Sequence, residues 1–406
     1  MRDVLHCDLN NFYASCECLV NPDLQGKAVA VGGSPEDRHG VIVASNYKAK
    51  SFGIRCGVTV YQAYKLCPDV AICPPNFALY NEMSQKVRNI YAEYTDQVEV
   101  FSIDECWLDV THSKIFGSPK EIADKIRQRV KDEVGLTISV GVSFNKTFAK
   151  IGSDLKKPDA TTEITIDNYK NVVWKLPVGD MFGVGRQTKS KLYKLGINTI
   201  GDLAKFNKDI LIKEFGKMGE MMHNHANGID EDPVAFLSDE QTPKSVGNST
   251  TFYKDLTDIC DIELGFTVIA ESVVGRMINH GLKCAKTLSI VVKDSDLQVY
   301  QKQCQLSPPC ADSSTYTKTA VKLFKDNFMH IKGIRLLGIT ASDWCDEGCQ
   351  ISLFDDTKPK KSIDAVMLKI RDKYGAGAIK RGNTMLDIKI AGAFNHEQLD
   401  KNKKNN

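Results

Sequence analysis

The 406-residue chain reads as a multidomain α+β protein, and three observations carry that reading. It is longer than one ordinary hydrophobic core accommodates, so two to four domains are expected. Up to Asp167, buried-strand patterns alternate with amphipathic helical ones. From there to Asp230 short helices are joined by Gly turns, and between Ser245 and Ser342 the order is βαββαβ, as in a small separate domain.

Each element has a local reason. Residues 4–9 form a short apolar run ending in an acid, as a buried strand does. Residues 26–33 and 40–45 read as two further strands around a charged turn. Residues 46–52 suit a short helix capped by Asn46 and stopped by Gly53. Tyr80, Met83, Val87, Ile90, Tyr91 and Tyr94 fall at helical spacing and predict a long amphipathic helix over 77–94. A hairpin over 98–110, a helix over 119–134 and a β-branched strand over 136–142 follow. A helix over 145–155 then ends before Lys157-Pro158. Beyond a polar linker near 238–244 come a strand, a long helix (256–281), two strands, a helix and a strand. A further helix is predicted over 363–374, then a disordered Lys/Asn tail.

Composition excludes several classes. The chain is 42% hydrophobic and 26% charged, the values of an ordinary globular protein. No run approaches the roughly 18–20 apolar residues of a membrane-spanning helix. Charges interrupt the N-terminal apolar run, so it is no signal peptide. A cytoplasmic chain without membrane contact is expected. The thirteen cysteines include Cys16/Cys18 and Cys345/Cys349, which lack the second Cys or His pair that zinc needs. They read as reduced thiols in core positions.

Charge is spread unevenly. Residues 1–167 carry 19 basic and 22 acidic side chains, residues 168–357 carry 22 and 24, and the tail from Lys358 carries 12 and 5. A protein gripping nucleic acid through phosphates usually has a stronger basic footprint. Any such grip here is local and modest.

The chemistry lies in three acids. Asp8 closes the first strand, and Asp104-Glu105 interrupt an apolar stretch that contains Val98, Val100, Phe101, Ile103, Trp107 and Leu108. Burying two adjacent acids is costly without a partner, and oxygen-only ligands without a nearby His point to Mg²⁺ or Mn²⁺. Neighbours on a regular strand face opposite sides, so the hairpin must turn or bulge there. If the first strand pairs beside that hairpin, the three carboxylates converge at one sheet edge, an arrangement suited to two-metal phosphoryl transfer.

Several motifs stand in order over the first 160 or so residues: Cys7-Asp-Leu-Asn-Asn-Phe-Tyr-Ala-Ser-Cys-Glu17, Pro22-Asp-Leu-Gln-Gly-Lys27, Ser45-Asn-Tyr-Lys-Ala-Lys-Ser-Phe-Gly53, Ser102-Ile-Asp-Glu105, Val140-Gly-Val-Ser143, Asn145-Lys-Thr-Phe-Ala-Lys150 and Lys156-Lys-Pro158. Together they resemble the Y-family of lesion-bypass DNA polymerases, most of all its bacterial DNA polymerase IV branch, over roughly residues 1–354. The resemblance implies a right-hand polymerase: palm at 1–15 and 77–167, fingers at 16–76, helix-hairpin-helix thumb at 168–237, little finger at 243–345, then a clamp-binding peptide and basic tail at 346–406. It implies error-prone, template-directed transfer of dNTP onto a primer 3′-hydroxyl by a monomer without proofreading, using two Mg²⁺ ions that Mn²⁺ can replace.

Carried over by position, Asp8, Asp104, Glu105 and the Leu9 carbonyl resemble the metal ligands. Asn11 and Phe12 fall in the nucleotide motif, and Tyr13 matches the steric gate that leaves no room for a ribose hydroxyl. Val43 matches the small residue over the nascent base pair, while Tyr47, Lys50 and Lys157 match triphosphate contacts. Many relatives have Arg where Lys50 stands, and Lys cannot clamp phosphate bidentately. Residues 181–197 read as a helix-hairpin-helix: Gly183 and Gly185 permit a tight turn whose N–H groups can meet a DNA phosphate, beside Arg186, Lys189 and Lys191. Gln350, Leu353 and Phe354 resemble the peptide by which bacterial polymerases engage the sliding clamp. Two other readings stay open at this point: a palm-fold nucleotidyl cyclase, and a catalytically silent DNA- and clamp-binding module.

Overall fold

A computed structural model of the chain describes residues 2–34, 40–239, 242–346, 363–375, 377–385 and 387–391. Its first unit is built on a five-stranded sheet in the order β5-β6-β1-β7-β8. The central strand β1 (Val4–Leu9) is buried along its whole length. Helix α1 (Phe12–Val20) leaves it after Asn11, which adopts a left-handed φ of 50°.

The chain then builds a smaller three-stranded sheet in the order β3-β2-β4. Its strands are β2 (Val29–Gly32), β3 (Ile42–Ser45) and β4 (Ala71–Cys73), with helices α2 (Tyr47–Ser51) and α3 (Val60–Leu66) between the last two. Asn46 caps α2 as expected, accepting from Ala49 N at 2.9 Å, and also accepts from Val29 N at 3.1 Å, which ties the helix start to β2. Helix α3 and strand β4 were not expected from the sequence. The helix is started by a capping box in which Thr59 and Gln62 satisfy each other's backbone donors.

Helix α4 (Phe77–Ala92) returns to the large sheet and buries Tyr80, Val87, Ile90 and Tyr91. The hairpin β5 (Val98–Val100) and β6 (Glu105–Asp109) turns at 101–104, so Asp104 lies in the turn and Glu105 opens the strand. Helix α5 (Pro119–Arg129) packs beside α4, and strand β7 (Ile138–Ser143) pairs antiparallel with β1. Alternation along β1 sends Leu5, Cys7 and Leu9 into the core beneath α4 and α5. His6 and Asp8 point to the opposite face.

Helix α6 (Lys146–Leu155) covers that opposite face. It lies so close to β7 that a Cβ on Gly141 would sit 1.8 Å from the Ala149 carbonyl oxygen. Only glycine permits this approach. Strand β8 (Thr161–Ile164), also not expected, closes the sheet parallel to β7.

Five helices follow: α7 (Tyr169–Val172), α8 (Arg186–Lys194), α9 (Ile200–Lys205), α10 (Lys208–Phe215) and α11 (Lys217–Ala226). Leu192, Ile197, Ile200, Leu203, Leu211 and Met222 form their core. The irregular segment that leaves this bundle is fastened to the first unit. Asn145 donates to Gly228 O, Asp230 accepts from Thr147 N, and Glu99 accepts from Ala235 N, at 2.9, 2.9 and 3.0 Å.

The distal unit is antiparallel in the order β11-β10-β12-β9. It runs β9 (Ser245–Leu256), α12 (Ile259–Asn279), β10 (Cys284–Asp294), β11 (Val299–Cys310), α13 (Ser313–Phe328) and β12 (Ile334–Cys345), the βαββαβ order expected. The helix expected over 363–374 is present as α14 (Ile363–Tyr374). Beyond it α15 (Ile388–Ala391), not expected, docks with α14 on the distal unit, while the Lys/Asn tail from 392 lies outside the described residues. Ile390 is fully buried in the core of the distal unit, and Arg371 and Arg381 both pair with Glu271 of α12. Buried apolar anchors and shared ion pairs override the basic composition.

Candidate active site

A cavity of about 330 Å³ opens between the large and small sheets. Its lining includes Asp8, Leu9, Asn11, Phe12, Tyr13 and Asp104 from one side, and Val43, Tyr47 and Lys50 from the other, with Lys157 between. The structure thus brings together ten of the eleven residues expected to bind metal or nucleotide. Glu105 is the exception and does not line the cavity.

Register explains the acids. Asp8 lies directly opposite Glu105 across β1 and β6, and the Leu9 N–H donates to the Asp104 carbonyl at 3.0 Å. Asp8 is only 8% exposed. Burial raises its pKa to about 6, although Lys157, 2.9 Å away, works against the shift. Lys157 also contacts Asp154 at 3.0 Å; burial alone would lower its pKa, but the two carboxylates raise it. Asp104 accepts from the Ser102 hydroxyl at 2.5 Å.

Glu105 has different partners. Burial would raise its pKa, yet hydrogen bonds from His6 and Lys150 hold it down at about 2. His6 Nε2 lies 3.3 Å from Glu105 Oε2, and Lys150 Nζ bonds the same oxygen. Burial lowers the pKa of His6, whose Nδ1 lies 2.8 Å from the Ser153 hydroxyl, and that hydroxyl donates to the Lys150 carbonyl at 2.8 Å. Among the described residues, no three His, Cys, Asp or Glu side chains are gathered closely enough to hold a metal ion. The donors themselves fit a hard divalent cation: they are carboxylate and carbonyl oxygens, with Asp8 and Asp104 on one cavity wall.

The nucleotide-side residues are equally specific in placement. The Tyr13 ring stacks on Tyr80 at 4.2 Å and meets Phe77 edge-on at 6.0 Å. Tyr80 is in turn fixed by donating its hydroxyl to Glu17 at 2.6 Å. Phe12 is buried behind them. Lys50 donates to the Asn11 side chain and lies 5.1 Å above the Tyr47 ring. Burial, with Lys157 and Arg55 nearby, lowers the Lys50 pKa, against the opposing pull of Asp8.

In the helical bundle Gly183 has φ 85° and Gly185 caps α8. No side chain caps that helix start. Arg186 and Lys191 are exposed and Lys189 half-buried. Gln350, Leu353 and Phe354 lie outside the described residues. Sequence reasoning gave His6 no role, named Tyr80 only for its helical spacing, and quoted Ser102 and Lys150 only as parts of motifs. The available signal was spacing: His6 and Asp8 share one face of β1.

The architecture is that of a right-hand polymerase. A solved Y-family DNA polymerase chimera matches it with a TM-score of 0.74 over 84% of this chain and 99% of its own, at 23% identity. Family descriptions match along the chain: the impB/mucB/samB family at residues 7–154, its C-terminal domain at 243–353, and a DNA polymerase-iota thumb domain at 179–230. DNA polymerase IV of Acetivibrio thermocellus is 44% identical over 95% of this chain and 98% of its own. That of Alkaliphilus oremlandii is 36% identical over 93% and 98%.

The chain therefore belongs to the impB/mucB/samB family of Y-family DNA polymerases. It is a translesion DNA-directed DNA polymerase, not a nucleotidyl cyclase. Enzymes of this family act on primer–template DNA and dNTP with divalent metal ions. No helix among the described residues is long and apolar enough to cross a membrane.

Proposed function

We propose that the cavity receives the incoming dNTP, and that Asp8, Asp104, Glu105 and the Leu9 carbonyl hold two Mg²⁺ ions, replaceable by Mn²⁺. The observation that carries this reading is one cavity lined by Asp8 and Asp104 on one side and by Lys50 on the other, with Lys157 between them. When bound, such ions lower the pKa of an attacking 3′-hydroxyl and neutralise a pyrophosphate leaving group.

The protein's own groups do the remaining work. Tyr13, immobilised on Tyr80, presents its ring to the sugar and excludes a 2′-hydroxyl by size. Lys50 and Tyr47, with Asn11, meet the triphosphate, and Lys157 can exchange its carboxylate partners for a phosphate oxygen. Val43, 42% exposed, leaves space over the base pair. Gly183 and Gly185 offer free backbone N–H groups to a DNA phosphate, with Arg186, Lys189 and Lys191 supplying local charge.

We assign the palm to residues 1–15 and 77–167, the fingers to 16–76, the thumb to 168–237 and the little finger to 243–345. The docked helices after 363 extend the little finger. The enzyme works as a cytoplasmic monomer and is tethered to the sliding clamp through Gln350, Leu353 and Phe354. Tethering a weak DNA binder raises its effective concentration at the primer end. Primer extension with each single dNTP, on undamaged and lesion-bearing templates, tests the reading. Template-dependent insertion that needs a divalent ion supports it, and no insertion on either template ends it.

A further inference from the structure

Lys150 occupies an unusual position for a lysine. Its side chain is 15% exposed, and its ammonium lies 4.8 Å from the Phe101 ring centre, 5.9 Å from Trp107 and 5.7 Å from Phe182. The three rings also meet one another edge-on, at 4.9, 5.7 and 5.9 Å. The cation sits in an aromatic cage, and the open side of the cage is filled by the Glu105 carboxylate.

Two details give the cage a purpose. Lys150 and His6 both bond Glu105 Oε2, so Oε1 keeps its freedom to bind something else. Two rings of the cage come from the β5–β6 hairpin that carries Asp104 and Glu105, whereas Phe182 immediately precedes Gly183 of the thumb hairpin. One ammonium therefore touches the carboxylate centre and the element proposed to hold a DNA phosphate.

We infer that Lys150 is the positioning residue of Glu105, fixing one carboxylate oxygen so that the other is aimed at a divalent ion, and that Phe182 makes this aim depend on the seating of the thumb. The inference rests on the proposed role of Glu105 as a metal ligand. Partners that orient a ligating carboxylate commonly contribute about 10–100-fold to metal affinity. Lys150→Met keeps the length of the side chain and loses the charge. Lys150→Arg keeps both the cation–π contact and a donor.

The test uses the full chain bound to a dideoxy-terminated primer–template with the next dNTP, where no chemistry proceeds. Mn²⁺ binding is read by electron paramagnetic resonance. Lys150→Met should weaken the tightest Mn²⁺ by about 10-fold or more, Lys150→Arg should recover much of it, and both should bind primer–template in EDTA as the parent does. Phe182→Ala, which reaches Glu105 only through Lys150, should weaken Mn²⁺ several-fold, with Phe182→Tyr restoring it. This arm reads out even if Lys150→Met does not fold. Unchanged Mn²⁺ affinity in Lys150→Met overturns the inference, and unchanged affinity in Phe182→Ala overturns the thumb's part in it. Glu105→Gln separates the underlying reading: if it binds Mn²⁺ as the parent does, Glu105 is no ligand, whatever Lys150 does.

Discussion

Replacing Asp8 by Asn in the metal-free protein measures what it costs to keep that carboxylate buried. Its pKa is pushed from 3.8 up to about 6 by burial, against the opposing pull of Lys157. A pKa unit corresponds to ~1.4 kcal/mol, so ionised Asp8 weighs against folding by ~3 kcal/mol. The sign follows from proton counting. Between about pH 4 and pH 6 the folded state keeps a proton that the unfolded state has released, so stability falls as pH rises through that window. Asn carries no such proton. Urea unfolding in EDTA of both proteins from pH 4 to pH 8 should therefore show Asp8→Asn gaining on the parent by ~3 kcal/mol up to about pH 6, then levelling. A difference that stays constant with pH, or that shrinks as pH rises, would refute the reasoning and return Asp8 to the ordinary carboxylate range. The same proton competes with cations: at pH 5 only about a tenth of Asp8 is ionised, so the Mg²⁺ needed for half-maximal insertion should rise roughly tenfold from its value at pH 7.

Asp104→Ala should abolish extension while leaving primer–template binding within a few-fold of the parent, because Asp104 faces the cavity and contacts Ser102 rather than a basic groove; even a tenth of normal turnover contradicts its role. Tyr13→Ala should lower the ratio of dNTP to rNTP incorporation efficiency. It should also cost about 1–3 kcal/mol of stability through the lost Tyr80 and Phe77 ring contacts, and an unchanged ratio would leave Tyr13 a core aromatic only. Lys50→Arg should lower the apparent KM for dNTP by offering two parallel donors, whereas a large fall in kcat would place Lys50 against something other than phosphate. Leu353→Ala with Phe354→Ala should erase stimulation by the clamp without altering single-nucleotide insertion, and full stimulation of the double variant would refute the tether.

What could be read in advance was whatever a local signal encodes. The buried run of β1, the Asn46 cap, the periodicity of α4 and the glycines of the thumb hairpin each carry their cause within a few residues. Helix α3 carried one too, the Thr59/Gln62 capping box, and was overlooked. Strands β4 and β8 had no such signal. Each is three or four residues long and exists only because a parallel neighbour, β2 or β7, supplies its hydrogen bonds. The docked segment after 363 was hidden by its composition, since Lys and Arg dominate the count while Met367 and Ile390 provide the burial.

The same division runs through the site. Asp8, Asp104, Tyr13 and Lys50 are named by motifs, but the pairing that governs their charge is tertiary. It depends on α6 lying against β7 at Gly141, which brings Lys150 to Glu105, and on the chain beyond α6 bringing Lys157 to Asp8. Two carboxylates this buried would be unfavourable alone. Asp8 and Glu105 each have instead one lysine within bonding distance, which offsets their charge before any ligand arrives. A triphosphate and its divalent cations have nearly equal and opposite charge, so at the proposed site their joint arrival would leave the local charge nearly unchanged. Either one alone would disturb it: the anion would compete with Asp8 for Lys157, and the cation with Lys157 for Asp8. Nucleotide and metal binding should therefore favour one another, and the coupling runs through Lys157, which the family motif marks only as a phosphate contact.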